Sequence, residues 1–391
     1  MIAVIGLGHA GLVLAAAIAD SNQTVIGIDI DKKRCDMINN RENPLPEEPG
    51  LGDIIYKHGG SKLYATTNYK KTNKCNTYII LVPLFLDKDH KPDFSILRKV
   101  FSNLAKVIKN NDLIILETTV PIGTTEKLAK ILDKSGKEYL LAFSPERIMT
   151  GYSLSKFKEY PKIVGGRDYE STDRAYKIYS RFCNKVIIVK NIKTAEMVKL
   201  SEGIYRDINI ALANELYKIC DKEKINYWEV KESVNCDLFH LHEPGSVGGP
   251  CIPYYPWFLI NNFQDTPLIR TAREVNDNMV DYYISQLGKA KKIGVIGLSF
   301  RADIKELTYS RSIELIKRLL DKGYNVYAKD PMFSPVEIAS LVPGLKHLKH
   351  KDFNNMDVII IMNKVTLYNK QLKDFKHKII DVKNIYNGNN N

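Results

Sequence analysis

The sequence predicts an α/β protein of two doubly wound parallel-sheet domains joined by a long central helix and a helical middle domain. Three observations lead there. Short apolar, β-branched runs alternate with helical stretches, the pattern of a parallel sheet covered by helices on both faces. The opening pattern of the chain returns near Lys291, where "KKIGVIGLSF" echoes "IAVIGLGHAG". Between them, residues 193–224 contain no proline and place Met197, Leu200, Ile204, Ile208, Leu212, Leu216 and Ile219 at three- and four-residue spacing, which predicts one long helix. The boundaries that follow are 1–190, 191–288 and 289–391. At 391 residues the chain exceeds one ordinary core, so division is expected on size alone.

In chain order, "IAVIG", "TVIGIDI", "TYIILVP", "DLIILETTVP" and "YLLAFSP" read as strands, with "DFSILRKVFSNLAKVIK" among the helices between them. "GLGHAGL" follows the first strand and opens the first helix. Gly6 allows a tight turn, Gly8 lets the backbone approach a pyrophosphate, and Gly11 permits close helix–strand packing. Asp29 ends the second strand about twenty residues on, where a dinucleotide fingerprint places an acid. Its carboxylate suits an adenosine ribose and repels a 2′-phosphate, so the expected cofactor is NAD rather than NADP. Both sheet domains therefore read as Rossmann-like.

The long helix is followed by "GSVGGPCIPYYPWF", Gly245 to Phe258. Glycines lead to a single thiol, Cys251, and prolines and aromatics follow it. No partner for a disulfide or a zinc site stands nearby, which leaves a buried structural thiol or a nucleophile. Beyond Lys291, "YNVYAKDP" stands where "TVIGIDID" stood, and "DVIIIM" and "KIIDVKN" read as further buried strands. "GLSFRAD" lacks the second and third fingerprint glycines. It argues against a second dinucleotide site and for a nucleotide held by Phe300 and the cation of Arg301, with a structural duplicate as the plainer reading. "NGNNN" reads as a frayed tail.

Composition narrows the class. A hydrophobic share of 44% and a charged share of 26% are globular values. The net charge of +12 suits an anionic partner, but its lysines are scattered and little interleaved with aromatics, so no nucleic acid is expected. The six cysteines form no C-x-x-C pair, which predicts no metal site and reduced thiols. Met1 runs straight into the first strand, and "LVLAAAIA" is too short to span a bilayer, so the expectation is a cytoplasmic protein with no membrane partner.

At this point the residues carry a family resemblance. The fingerprint, "TTVPIGTT", "FSPERI", "AEMVKLSEGIYRDINIALANE", "PGSVGGPCIPYYPWF", "IRTAREVND" and "GLSFRADIKEL" resemble the UDP-glucose/GDP-mannose dehydrogenase family, in its order and spacing over nearly the whole chain. "SPER" followed by "GGPCI" and "PWF" is most similar to the branch acting on UDP-N-acetylmannosamine or UDP-N-acetylglucosamine. The resemblance implies a four-electron oxidation of the sugar C6 alcohol to a uronate, with Cys251 as the nucleophile that converts an aldehyde into a thioester. Lys199 then matches a lysine that stabilises the oxyanion, Glu146 a base for hydrolysis, and Thr119 a residue near cofactor and water. Gly6, Gly8, Ala10, Gly11, Asp29, Arg34 and Thr119 match the cofactor side. Arg147, Ile148, Lys199, Arg206, Gly248, Phe300 and Arg301 match the UDP-sugar side. A homodimer through the central helix is also implied.

The chain departs from that family at four positions. Gly203 stands where Asn is usual, Tyr255 where Asp is usual, Leu84 where a threonine is usual, and Thr308 where an arginine is usual, with Arg311 close enough to reach over. Gly203 in mid-helix costs about 1 kcal/mol against alanine, so something must compensate. A phenol of ordinary pKa about 10 does not replace a carboxylate base at neutral pH. Two alternatives therefore stand beside the leading expectation: an enzyme acting on another sugar such as UDP-glucose, and a nucleotide-sugar-binding homologue without turnover.

Overall fold

Successive residues of β1 (Ile2–Ile5) point to opposite faces of a sheet, and both faces are buried. Ile2 and Val4 join one apolar cluster, with Leu12, Ile79, Leu113 and Ile115, while Ala3 and Ile5 join another, with Phe101, Ile114 and Leu116. Two cores on one sheet explain why the strand sequences are continuously apolar rather than alternating. The computed structural model describes residues 1–147, 154, 159–301, 304–363, 372, 375 and 378–385, divided into two units, Met1–Ser201 and Glu202–Asn391.

In the first unit, β1 is joined by β2 (Val25–Ile28), β3 (Leu63–Thr66) and β4 (Thr77–Ile80). A small hairpin, β5 (Phe85–Leu86) and β6 (Pro92–Asp93), precedes β7 (Asp112–Leu116), β8 (Tyr139–Phe143), β9 (Lys162–Gly166) and β10 (Val186–Ile188). The sheet order is β10-β9-β8-β7-β4-β1-β2-β3. From β3 to β8 all neighbours are parallel and follow the dinucleotide-binding order, which reverses direction between β1 and β4. β9 runs antiparallel to β8 and β10 parallel to β9, an extension the apolar runs did not announce.

The second unit holds β11 (Lys292–Ile296), β12 (Asn325–Lys329), β13 (Lys346–His347), β14 (Val358–Ile361) and β15 (Lys378–Ile380), in the order β13-β12-β11-β14-β15 and parallel throughout. Ahead of this sheet lie the helices Tyr227–Val234, Tyr255–Ile260, Pro267–Asp277 and Met279–Ser285. The long helix runs Ile192–Glu223, one residue earlier at each end than its spacing predicts, and the division between units falls within it.

The sequence echo is a geometric one. Gly6 and Gly297 both turn the chain with positive φ, +90° and +86°. Leu7 N–H donates to Asp29 Oδ2 at 2.7 Å and Asp31 N–H to Asp29 Oδ1 at 2.9 Å. In the second unit Leu298 N–H donates to Asp330 Oδ2 at 2.7 Å and Met332 N–H to Asp330 Oδ1 at 2.9 Å. In both sheets, then, an aspartate directly after the second strand braces the turn that follows the first.

Candidate active site

The three fingerprint glycines are held for different reasons. A Cβ on Gly6 would lie 2.2 Å from the Leu81 carbonyl oxygen, and one on Gly11 would lie 1.8 Å from that of Gly6, so neither tolerates a side chain. A Cβ on Gly8 would meet nothing within 4 Å. The protein leaves open the one position where a pyrophosphate needs the backbone bare, at the start of the helix His9–Asp20, beside the half-buried Ala10. Asp29, fixed by its two backbone donors, lies 3.6 Å from the Arg34 guanidinium. An open cradle with an oriented carboxylate fits NAD.

At the carboxyl ends of β7 and β8, buried polar groups fix the loops that carry Thr119, Glu146 and Arg147, all half-buried. Glu117 accepts from Lys162 Nζ at 2.6 Å and from the Tyr179 hydroxyl. The backbone of Glu146 donates to the Glu117 carbonyl at 3.2 Å, and Lys162 Nζ also reaches Pro145 O at 3.3 Å. Burial holds the Tyr179 phenol well above its usual range, with the Glu117 charge adding to the effect. Thr118 Oγ1 donates to Val82 O at 2.7 Å and accepts from Val82 N–H at 3.1 Å, joining the loop after β7 to the one after β4. Arg147 donates to Pro161 O at 2.5 Å. Ile148 lies outside the described residues.

Lys199 sits, half-buried, on a helix anchored three residues earlier by Glu196. The Glu196 carboxylate accepts from the Thr125 N–H at 2.9 Å, the Thr125 hydroxyl at 2.6 Å and the Gly123 N–H at 2.5 Å, at the positive end of the helix Thr124–Asp133. Burial pushes its carboxyl up, and these donors oppose the shift.

In the second unit the glycine loop before Cys251 is fixed at three points. Asn214 accepts from Gly245 N–H at 2.6 Å and returns its amide to Gly245 O at 3.2 Å. Arg311 Nε donates to Val247 O at 3.0 Å, so this arginine braces the loop, and its guanidinium is further engaged by Asp277 and Glu314. Gly249 N–H donates to Thr308 O at 3.2 Å. A Cβ on Gly249 would lie 2.7 Å from the Phe300 ring, and one on Gly248 would lie 2.7 Å from Tyr309 O, so the loop lies directly on the segment that carries Phe300 and Arg301.

At the end of this loop Cys251 is exposed. The bulky residues after it fold inward, with Tyr254, Tyr255 and Phe258 buried. Cys35, Cys75, Cys183 and Cys220 are buried, and burial pushes the thiols of Cys75 and Cys183 up to about 11. Behind the loop, Arg273 pairs with Asp207 at 2.5 Å while the Asn276 amide donates to the same carboxylate at 2.7 Å, all three essentially inaccessible. Arg206 is exposed one position before Asp207.

Sequence reasoning did not find Glu117, Lys162, Tyr179, Glu196, Asn214, Asp207 or Arg273. Their partners lie far away in sequence, and periodicity reports only near neighbours. The one local signal was a carboxylate set directly after an apolar strand, as in "LIILE". Among the described residues no group of histidine, cysteine and carboxylate side chains could hold a metal, and no helix is long and apolar enough to cross a membrane.

Comparison with known proteins adds to this geometry. Sequence models of the UDP-glucose/GDP-mannose dehydrogenase family match residues 1–183 as its NAD binding domain, 193–278 as its central domain and 294–388 as its UDP binding domain. The UDP-N-acetyl-D-mannosamine dehydrogenase of Methanocaldococcus jannaschii is 34% identical, over 99% of this chain and 92% of that protein. The NDP-N-acetyl-D-galactosaminuronic acid dehydrogenase of Ralstonia solanacearum is 32% identical, over 94% of each. Among solved structures, that of a UDP-D-ManNAc dehydrogenase from Pyrococcus horikoshii is similar with a TM-score of 0.86 and 29% identity, covering 98% of this chain and 95% of that one.

Proposed function

The chain belongs to the UDP-glucose/GDP-mannose dehydrogenase family, and on that premise we propose that it oxidises the C6 hydroxyl of a UDP-N-acetylhexosamine, UDP-ManNAc or UDP-GlcNAc, to the uronate. It is an NAD-dependent nucleotide-sugar dehydrogenase. The sugar assignment is supported by the names of its relatives, which act on N-acetylhexosamine derivatives. The observation that carries the mechanism is an exposed thiol, Cys251, at the end of a loop whose backbone is held at Gly245, Val247 and Gly249.

When bound, NAD accepts the hydride lost from C6 in each of the two oxidations. An aldehyde offers no hydride until something adds to it, and Cys251 is the nucleophile for that step. Its sulfur bonds to C6, and the resulting thiohemiacetal carries the hydrogen that the second oxidation removes. Water attacks the thioester that remains, the C–S bond breaks, and the uronate leaves while the thiol is restored. Overall, one alcohol, two NAD and one water give one uronate, two NADH and three protons.

Lys199 is assigned to the oxygen that gains charge at C6, Glu146 to the proton of the attacking water, and Thr119 to positioning near water and cofactor. Gly6, Gly8, Ala10, Gly11, Asp29 and Arg34 hold NAD. Arg147, Ile148, Arg206, Gly248, Phe300 and Arg301 hold the UDP-sugar. The central segment, 191–288, carries the cysteine loop between an NAD domain over 1–190 and a UDP-sugar domain over 289–391. Purified protein incubated with NAD and a panel of UDP-sugars tests this reading through NADH absorbance and product mass. UDP-N-acetylhexosamines should yield uronate with two NADH per product, and a preference for UDP-glucose would overturn the sugar assignment.

A further inference from the structure

Gly203 and Tyr255, two of the positions at which the sequence departs from its family, are in contact. Gly203 is buried within the helix Ile192–Glu223. A Cβ built on it would lie 2.4 Å from Tyr255 Cδ2 and 3.3 Å from both Cγ and Cε2. Non-bonded carbons rest about 3.5–4.0 Å apart, so this ring and any side chain at 203 exclude each other. The ring has little room to retreat. Tyr255 is 8% exposed, its ring centroid lies 6.0 Å from that of Phe258, and its N–H donates to the Cys251 carbonyl at 3.1 Å.

We propose that Gly203 and Tyr255 are a matched pair that positions Cys251. The ring seated on the bare Cα of Gly203 pins the Cys251–Tyr255 turn against the long helix, and the Tyr255 N–H carries that restraint to the cysteine's own carbonyl. Tyr255 is thus a positioning residue, acting through Cys251. The pairing also accounts for a glycine in a helix interior, where its backbone freedom is otherwise a handicap. Each departure without the other leaves a clash or a hole. The effect on turnover rests on Cys251 being the nucleophile, whereas the packing does not.

The test is a double-mutant cycle on the full chain: Gly203→Ala, Tyr255→Ala, the double variant, and Tyr255→Phe, which keeps the ring. The readouts are Tm, the alkylation rate of Cys251 relative to the exposed Cys236, and kcat and KM. Gly203→Ala should lower Tm and kcat with KM little changed, and the double variant should regain about fivefold or more of the lost kcat. Tyr255→Phe should match the wild type in Tm and labelling ratio. A Gly203→Ala protein that does not fold, beside a double variant that does, supports the pair. Additive effects overturn it, as does Tyr255→Phe behaving like Tyr255→Ala, or a double variant that does not fold although Tyr255→Ala does. Uronate formation by Cys251→Ser would remove the nucleophile and leave the Tm and labelling cycle standing, so the two failures are distinguishable.

Discussion

Asp29 accepts Leu7 N–H through one carboxylate oxygen and Asp31 N–H through the other, so a substitution there disturbs the turn as well as the proposed cofactor contact. Asp29→Ala should narrow the preference for NAD over NADP and also lower stability by about 1–3 kcal/mol, because the Leu7 N–H loses its partner. Asp29→Asn retains an acceptor, so it should narrow the preference with a smaller stability loss. Binding isotherms for both cofactors check this, and equal affinities in the wild type would contradict the assignment. The thiols give a second prediction. Cys35, Cys75, Cys183 and Cys220 are buried, and a thiol held at about 11 by burial, as at Cys75 and Cys183, presents almost no thiolate near pH 7.5. Iodoacetamide should label only Cys251 and Cys236, and UDP-sugar should protect Cys251 alone. Peptide mapping that finds Cys75 or Cys183 labelled as fast would contradict the burial.

Among the elements, the cysteine loop and the long helix depend on buried polar ties. Asn214→Ala leaves both Gly245 backbone groups without their side-chain partner and should cost about 1–3 kcal/mol in urea unfolding. Arg273→Met leaves the Asp207 carboxylate buried without its cation and should cost about 3–5 kcal/mol. A loss below about 1 kcal/mol for Arg273→Met would show that this pair does not brace the helix Pro267–Asp277. The strands, the long helix and the fingerprint turn were legible because each is written in neighbouring residues: apolar runs, three- and four-residue spacing, and a glycine pattern followed by an acid. Strands β3, β9, β10 and β13 and the hairpin β5–β6 were not, since short or edge strands and an antiparallel addition carry little apolar signal. The ties of Glu117, Glu196 and Asn214 could not be read either, because each joins segments more than thirty residues apart in sequence. Gly203 and Tyr255 were visible separately as departures, but only coordinates put the ring on the glycine.

For the whole molecule, hydrogen exchange tests the assignment of ligands to domains. NAD should protect the segment around Gly6–Gly11 and Asp29, and UDP should protect the segment around Phe300 and Arg301. Protection by UDP confined to the first 190 residues would contradict the assignment. Tyr205, Leu212 and Ile219 recur at seven-residue spacing on the long helix and are 57%, 45% and 56% exposed, an apolar stripe on the helix surface. We propose that this stripe meets a second copy of the chain, so Leu212→Asp should shift the protein to monomer in sedimentation. A wild type that sediments as a monomer would contradict it. The central claim is that Cys251 is the nucleophile of a two-step oxidation, and product analysis of Cys251→Ser with NAD and UDP-N-acetylhexosamine tests it most directly. A serine hydroxyl is a far weaker nucleophile at neutral pH, so the variant should yield no uronate, with at most traces of aldehyde and its single NADH. Uronate formed by that variant at the wild-type rate, with two NADH per product, would contradict the account.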